Sequence, residues 1–330
     1  MRIVISGATS MIGAALTNKL LENNHEVIAV VKPNSKKIEA LRKSPSLSIV
    51  ECNMEDYSEL NNLIQGKVDV AISTAWNGTR GTDRNNEELQ IENYKNSISF
   101  LEAMISKGCT KFLTAGSQAE YGLWTKSEKL TEEEIPHPNT QYGVYKLKFY
   151  EYAKEYCRSR ECKLIEPRFF SLYGPKDYEG TLVISTLNKM LENKPCELTE
   201  CIQLWDFLYI DDAIDGLVKL VEDDVPESIY NFGSGYSAPL KEFIEEMKEI
   251  TNSDSELRYG VIPYPATGIV NVNPDVSKLI NCGWKQEVSF QKGVMKIVSH
   301  LENVKRNRGG VTRNLILNAM SPNLNWRCVA

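Results

Sequence analysis

The stretch "RIVISGATSMIG", residues 2–13, contains a β-branched apolar run followed at once by a turn with two glycines. The run predicts a buried β-strand, and the pattern Gly7-x-x-Ser10-x-x-Gly13 predicts a tight turn into a helix. Glycines at such a turn let the backbone approach a pyrophosphate, whose charge then lies at the helix N-terminus. A turn that binds no ligand is the alternative. The residues that we expect to bind a dinucleotide here are Gly7, Thr9, Ser10, Met11, Ile12 and Gly13.

The first half of the chain repeats this order of strand and helix. Further apolar runs of strand length occur at 26–31, 47–51, 68–73, 111–116 and 163–169. Stretches with a helical pattern lie near 11–23, 55–65, 86–107 and 140–158. Strands that alternate with helices of this length form crossover units, so the sequence predicts an α/β fold with a doubly wound parallel Rossmann sheet.

The alternation becomes irregular after residue 170, where prolines and loops are more frequent. We expect a dinucleotide-binding Rossmann domain over 1–170, with 205–235 packing back on its sheet. A smaller C-terminal substrate domain is expected from 171–204 and 236–301. Residues 302–330 contain five basic residues and no acid after Glu302, which predicts an atypical basic tail that is mobile or docked to a partner.

Charge and composition exclude several classes of protein. The 330 residues carry a formal net charge of −6, which provides no basic surface for a nucleic-acid backbone. No apolar run reaches the roughly 20 residues of a membrane helix, and the early first strand leaves no room for a signal peptide. The eight cysteines lack a C-x-x-C spacing and only three histidines are present, so neither a disulfide framework nor a metal site is expected. We expect a cytoplasmic enzyme with reduced cysteines and no membrane partner.

The end of the second strand indicates which dinucleotide binds. In dinucleotide-binding folds, an acidic residue about 20 positions after the glycines holds the hydroxyls of the adenosine ribose. Here "VIAVVKPNSKK" puts Val31 at that position, followed by Lys32 and, after two residues, Ser35. Without a carboxylate to repel it, a 2′-phosphate is favoured, so we expect NADP(H), with NAD(H) possible. The alternative is that these lysines only form a solvated turn.

The stretch "YGVYKLKFYEYAK", residues 142–154, contains Tyr-x-x-x-Lys twice, as Tyr142 with Lys146 and Tyr150 with Lys154. A helix that starts near Thr140 has the first pair in its first two turns, beside the strand ends where ligands bind in open α/β sheets. The second pair begins about 12 Å further along the helix axis. Tyr142 and Lys146 are therefore the candidates for chemistry, and the second pair is interpreted as helix surface or subunit contact.

A tyrosine beside a lysine can transfer a proton. The lysine ammonium stabilises the phenolate and lowers a pKa that is ordinarily about 10. Tyr142 can then protonate a carbonyl oxygen while hydride arrives, or deprotonate an alcohol in reverse. Ser117, at the carboxyl end of a neighbouring strand, would hydrogen-bond the same oxygen. We expect Ser117, Tyr142 and Lys146 to be catalytic, with Lys146 also binding the cofactor ribose.

These residues resemble the extended short-chain dehydrogenase/reductase family of nucleotide-sugar epimerases, dehydratases and reductases, over nearly the whole chain to about residue 301. The motifs that carry the resemblance are "GATSMIG", "SQAEYG", "YGVYK", "RFFSLYGP", "WDFLYIDDAIDGL", "YNFGSG" and "DVSKLINCGW". The resemblance implies further cofactor contacts by Thr74, Ala75, Asn93 and Arg168. Residues expected on the substrate side are Trp76, which could also belong to the core, Gln118, Ser171, Lys176 and Asp206.

The resemblance implies an activity and an assembly. We expect an NAD(P)H-dependent ketoreductase of a nucleotide-linked sugar, such as a 4-keto-6-deoxyhexose, that forms a homodimer through the helices near 86–107 and 140–158. An NAD-dependent nucleotide-sugar 4-epimerase with bound cofactor is the alternative, and a non-catalytic dinucleotide-binding protein is a third. The chain departs from the family at Ser171, where asparagine is usual, and at Trp205-Asp206-Phe207, which lacks the arginine that usually contacts a nucleotide diphosphate.

Overall fold

The computed structural model of the chain describes residues 1–265 and 268–307. It divides into two compact units. The first comprises Met1–Leu172, Gln203–Ala238 and Pro265–Val288, and the second comprises Tyr173–Ile202, Pro239–Tyr264 and the described residues from Ser289 onward. Within these residues, none of the helices has the length and apolar character needed to cross a bilayer.

Parallel strands dominate the first unit. The strands of both units are β1 (Arg2–Ser6), β2 (Glu26–Val31), β3 (Leu47–Glu51), β4 (Val70–Ser73), β5 (Lys111–Thr114), β6 (Gly116–Ser117), β7 (Lys163–Phe169), β8 (Ser171–Tyr173), β9 (Cys196–Glu197), β10 (Leu204–Tyr209), β11 (Ser228–Phe232), β12 (Ser237–Pro239) and β13 (Leu257–Arg258). The main sheet has the order β11-β7-β5-β4-β1-β2-β3, with β6 paired to β7. Its strand pairs are parallel. The predicted α/β class with a doubly wound parallel sheet is confirmed.

Helices occur in both units. They are α1 (Met11–Glu22), α2 (Leu60–Leu63), α3 (Glu87–Ser106), α4 (Gln141–Arg158), α5 (Leu182–Met190), α6 (Ile210–Glu222), α7 (Leu240–Thr251), α8 (Ser277–Asn281) and α9 (Phe290–Asn307). The helix predicted near 55–65 is instead a 3₁₀ turn, Met54–Glu59, followed by the single turn α2. The helical turn ends at Leu63, and Gly66, which has a φ of +78°, follows in a conformation that only glycine adopts freely.

The C-terminal region differs from the predicted division. The sequence assigns 236–301 to the smaller domain, whereas 265–288 belongs to the first unit. Asp212 on α6 explains this, because its carboxylate accepts hydrogen bonds from the N–H groups of Glu287 and Val288 at 3.1 and 3.0 Å. Its carbonyl also accepts a bond from Trp284 Nε1 at 2.9 Å. Of the predicted tail 302–330, the first residues continue α9 to Asn307, and 308–330 lie outside the described residues.

The register of the sheet determines where a ligand can bind. Ser6 pairs with Ser73, and Ser73 pairs with Thr114, so β1, β4 and β5 end at the same edge. Strands β1 and β4 are buried along nearly their whole length, as expected for a sheet covered on both faces. The turn after β1, the loop after β4 and the segment after β5 therefore meet beside one another.

Candidate active site

The turn after β1 is closely packed against the loop after β4. Gly7 has a φ of +67°, and a Cβ there would lie 2.7 Å from the backbone nitrogen of Ala75 and 2.9 Å from Thr74 Oγ1. A Cβ on Gly13 would lie 2.3 Å from the carbonyl oxygen of Gly7. Both positions thus require glycine, and Thr74 holds the contact by donating to Ser6 O at 2.7 Å. The backbone of this turn can approach a ligand as closely as a pyrophosphate requires.

Ser10 fits the turn without strain. Its φ of −71° is ordinary for any residue, and its hydroxyl caps α1 by accepting a hydrogen bond from Gly13 N at 3.0 Å. The first turn of α1, all of which the structure describes, contains no acidic side chain that would repel an anion. The flanking Thr9, Met11 and Ile12 are half-buried in the same turn. These residues fit the dinucleotide that the sequence predicts.

The carboxylate of Glu51, which the sequence pattern did not reveal, lies beside the loop after β2. Val31 is 2% exposed and Lys32 is exposed, while the Ser35 hydroxyl caps the 3₁₀ turn Lys36–Ala40. Glu51 ends β3 directly opposite Val31 in the sheet, and its carboxylate accepts a hydrogen bond from Asn34 N at 3.1 Å. Predicting that β2 and β3 pair with Val31 opposite Glu51 would have placed this carboxylate beside the loop.

Ser117 and Tyr142 lie together at the sheet edge. The Ser117 hydroxyl, which accepts a hydrogen bond from Ala119 N at 3.2 Å, lies close enough to the Tyr142 phenol to lower its pKa, and the Tyr142 side chain is 8% exposed. The first turn of α4 reaches Ser117 because Gly143 allows it, since a Cβ there would lie 2.2 Å from Ala119 O. Thr140 begins the helix by accepting a hydrogen bond from Gly143 N at 3.2 Å.

Lys146 is buried next to this pair, but its contacts differ from the expected ones. Its ammonium donates to Ala115 O at 2.7 Å, where the predicted strand 111–116 is interrupted between β5 and β6. It also lies 3.9 Å from the ring centroid of Trp76. Burial lowers the pKa of Lys146 to about 8, while Glu120 and Glu166 act in the opposite direction.

Trp76 contacts both catalytic candidates. Its ring meets that of Tyr142 edge-on at 6.2 Å and 81°, and its indole N–H donates to Gln90 Oε1 at 2.7 Å. Arg84 lies over the same tyrosine, with its Cζ 4.8 Å from the ring centroid. Burial raises the pKa of Tyr142, and the neighbouring Ser117 hydroxyl and the charge of Arg84 both lower it.

The second Tyr-Lys pair is separated from this site. Tyr150 is half-buried and burial raises its pKa to about 12, while Lys154 is exposed. The ring of Tyr150 lies 5.7 Å from Cζ of Arg168. The structure does not bring these two side chains to Ser117.

Arg168 belongs to a buried cluster of charges. Its guanidinium lies 2.8 Å from Glu166 and 3.0 Å from Glu120, and all three side chains are at most 2% exposed. Burial and the neighbouring Glu120 raise the pKa of Glu166 well above its usual range. Glu120 also accepts a hydrogen bond from Ser117 N at 2.7 Å. Arg168 thus pairs with carboxylates instead of facing a cofactor, and the acids in "SQAE" and "LIEPRF" were the available signals.

The side chains of two other candidates, Asn93 and Asp206, are hydrogen-bonded to backbone groups. Asn93 is 1% exposed and bonds both to the N–H and to the carbonyl of Asn77, at 2.9 Å each. Asp206 is fully buried and accepts hydrogen bonds from Ser234 N and Gly235 N at 2.7 and 2.8 Å. Their carboxamide and carboxylate groups shape the loops and are not presented to a ligand.

The remaining candidates are accessible to different degrees. Gln118 is half-buried in the 3₁₀ turn that directly follows Ser117. Ser171 is half-buried in β8. Lys176 is exposed and belongs to the second unit.

Comparison with known proteins identifies the family. The CDP-abequose synthase of Salmonella muenchen is 26% identical over 312 residues, covering 91% of this chain and 98% of that protein. The structure of UDP-glucose 4-epimerase from Thermotoga maritima with UDP-glucose has a TM-score of 0.81 at 23% identity, covering 92% of this chain and 99% of that one. For UDP-glucuronic acid 4-epimerase from Bacillus cereus in complex with NAD, the TM-score is 0.79 at 22% identity, with 93% and 98% covered.

The profile of the NAD dependent epimerase/dehydratase family matches residues 3–233, which form the greater part of the chain. The resemblance to extended short-chain dehydrogenases/reductases that the motifs predict is confirmed. The chain is an enzyme that belongs to the NAD dependent epimerase/dehydratase family.

Proposed function

We propose that the enzyme is an NAD(P)H-dependent ketoreductase of a nucleotide-linked sugar, such as a 4-keto-6-deoxyhexose. The observation that carries the proposal is the closeness of the Ser117 hydroxyl to the buried Tyr142 phenol, whose pKa it lowers, with Lys146 one helical turn away. Ser117, Tyr142 and Lys146 lie at the same edge of the sheet as the glycine turn that follows β1. A donor pair that converges on one point is what a carbonyl oxygen needs as negative charge develops on it.

Each residue of the site has a separate role in the proposed reaction. Tyr142 transfers a proton to the carbonyl oxygen of the sugar, and Ser117 hydrogen-bonds that oxygen and keeps the phenol in place. The Gly7–Gly13 turn and the N-terminus of α1 would hold the cofactor pyrophosphate. A nicotinamide cofactor supplies hydride when bound. Trp76 closes one side of the site by packing on both Tyr142 and Lys146.

The preference for NADPH is part of the proposal and is supported by the loop after β2. Val31 is buried where an acid would bind ribose hydroxyls, and Lys32 is exposed beside it. The carboxylate of Glu51 on the neighbouring strand acts against a 2′-phosphate, so the balance depends on the lysines that follow. The NAD in the complex of the Bacillus cereus epimerase makes NAD(H) the competing cofactor.

A nucleotide-sugar 4-epimerase is the second candidate. The Ser-Tyr-Lys set serves oxidation and reduction equally well, and the two epimerases share the fold over nearly their whole length. The name of the Salmonella protein supports a nucleotide-linked sugar as substrate for either reaction. An epimerase would retain its cofactor and would consume no NADPH.

The test combines cofactor titration with a substrate screen. The purified enzyme is titrated with NADPH and NADH, then mixed with CDP-, UDP- and dTDP-linked 4-keto sugars while absorbance at the nicotinamide band is followed. Stoichiometric loss of NADPH with a reduced sugar as product supports the reductase. Interconversion of two UDP-sugars by cofactor that co-purifies, without net loss of NADPH, would replace it by the epimerase.

We also propose a homodimer through α3 and α4, as the resemblance implies. Sedimentation equilibrium gives the mass in solution, and a monomer at micromolar concentration would contradict the dimer.

A further inference from the structure

Tyr142 needs a stabilised phenolate in order to exchange protons near neutrality. Its side chain is buried, and burial raises its pKa because the charged form is less well solvated. The neighbouring Ser117 hydroxyl opposes this effect. A positive charge near the ring would oppose it further.

Lys146 is poorly suited to be the only such charge. Its ammonium donates to Ala115 O and packs on Trp76, and burial brings its pKa to about 8. A sizeable fraction of this side chain is therefore neutral in mildly alkaline solution. An arginine keeps its charge at every pH at which the protein is folded.

Arg84 supplies a cation of that kind. Its Cζ lies 4.8 Å from the centroid of the Tyr142 ring, within the distance of a cation–π contact. The side chain is half-buried, and its Nη1 donates to Thr79 O at 3.3 Å. The guanidinium is thus directed toward the tyrosine by the loop that carries it.

That loop is anchored to α3. Gln90 is fully buried, and its Nε2 donates to the carbonyls of Gly78 and Asp83 at 3.1 and 2.9 Å. Its Oε1 accepts the indole N–H of Trp76 at 2.7 Å. One side chain therefore fixes both ends of the segment, and the 3₁₀ turn Gly81–Asn85 presents Arg84 in a defined position.

We propose that Arg84 is a positioning residue that acts through Tyr142: its guanidinium, lying against the Tyr142 ring, stabilises the phenolate and so increases the acidity of the proton donor. The other groups that face Tyr142 are the Ser117 hydroxyl and the Glu120 carboxylate from the segment after β5, with Lys146 on α4 itself. Glu120 opposes the effect of Arg84. The inference rests on the proposed role of Tyr142 and holds for a reductase and an epimerase alike.

The test measures the ionisation of Tyr142 directly. All tyrosines are replaced by 3-fluorotyrosine, whose more acidic phenol brings the titration into the range where the protein is folded. The ¹⁹F resonance of residue 142 is assigned by its loss in Tyr142→Phe, and is titrated in the complex with oxidised cofactor. No sugar substrate is needed, so failure of the substrate assignment is distinguished from failure of this inference.

Arg84→Gln is expected to raise the pKa of Tyr142 by about one unit, because it removes a nearby opposite charge. Arg84→Lys, which keeps the charge, should restore most of the difference. Arg80→Gln is the matched control, since it removes one positive charge from an exposed position in the same loop and should shift the resonance little. Arg84→Met serves in place of Arg84→Gln if that variant does not fold.

Two results would overturn the proposal. One is a resonance of residue 142 that titrates at the same pH in Arg84→Gln as in the wild type, which would show that the charge of Arg84 does not act on the Tyr142 phenol. The other is an equal shift in Arg84→Lys and Arg84→Gln, which would show that packing is responsible. With a sugar that turns over, the alkaline limb of kcat/KM against pH should move upward by the same amount in Arg84→Gln.

Discussion

The carboxylate of Glu120 accepts a hydrogen bond from the backbone N–H of Ser117 at 2.7 Å, and the same carboxylate lies 3.0 Å from Nη2 of Arg168. A fully buried ion pair thereby holds the serine whose hydroxyl lies beside Tyr142 and lowers its pKa. Glu120 does not itself reach a reacting atom in this arrangement. It is a positioning residue, and its contribution should appear in stability as well as in turnover.

Glu120→Ala should lower the free energy of unfolding by about 3 kcal/mol or more, because removing one partner of a buried pair leaves Arg168 less well compensated. Urea denaturation measures the loss. Glu128→Ala is the control, since Glu128 is exposed and its removal should change stability by less than about 0.5 kcal/mol. Equal losses in the two variants would contradict a structural role for the cluster.

Tyr142→Phe should reduce turnover by at least about 100-fold, because it removes the proton donor while leaving the ring in its aromatic contacts. Cofactor affinity should remain near that of the wild type. Tyr150→Phe is the matched control, since it deletes the same atom eight residues further along α4. Steady-state kinetics on the substrate found in the screen decides the matter, and full activity in Tyr142→Phe would falsify the mechanism.

The buried side chain of Lys146 should make the stability of the protein depend on pH. Burial lowers its pKa from 10.5 to about 8, so between these values the unfolded chain binds a proton that the folded protein has released. The contribution of this group to the free energy of unfolding therefore rises with pH across that window, by about 3 kcal/mol in total. Below pH 8 the folded state carries the cost of a buried charge.

Lys146→Met removes this dependence while keeping an unbranched side chain. Urea denaturation of both proteins at pH 7.5, 9 and 10.5 gives the difference in unfolding free energy, in which most other groups cancel. The free energy of unfolding of the wild type should increase relative to that of Lys146→Met as pH rises. A difference that stays constant from pH 7.5 to 10.5 would show that the ammonium is not penalised by burial.

Glu51→Gln should favour NADPH. The Glu51 carboxylate bonds Asn34 N in the loop after β2, where the 2′-phosphate is expected, and removal of its charge should tighten NADPH binding up to about fivefold. NADH binding should change little. Glu39→Gln, at an exposed position in the following 3₁₀ turn, is the control. Fluorescence titration gives both dissociation constants, and a wild-type preference for NADH would refute the interpretation of Val31 and Lys32.

The sequence alone determined the alternation of strands and helices and the glycine turn, and it predicts that Tyr142 lies nearer the strand ends than Tyr150. These are local properties. An apolar period shows in a few consecutive residues, Gly7 and Gly13 are required by one turn, and a helix that begins at Gln141 sets which tyrosine lies near the strand ends. Each could be inferred without knowing what packs against it.

Only the tertiary structure decided the electrostatics of the site. Arg84 reaches Tyr142, and Trp76 reaches Lys146, from a loop that carries no periodic pattern. Arg168 pairs with Glu166, two residues earlier on β7, and with Glu120 from the turn after β6. Charges act over a few ångströms between residues that are distant along the chain, so their balance depends on how loops fold over strand ends, which no local pattern encodes.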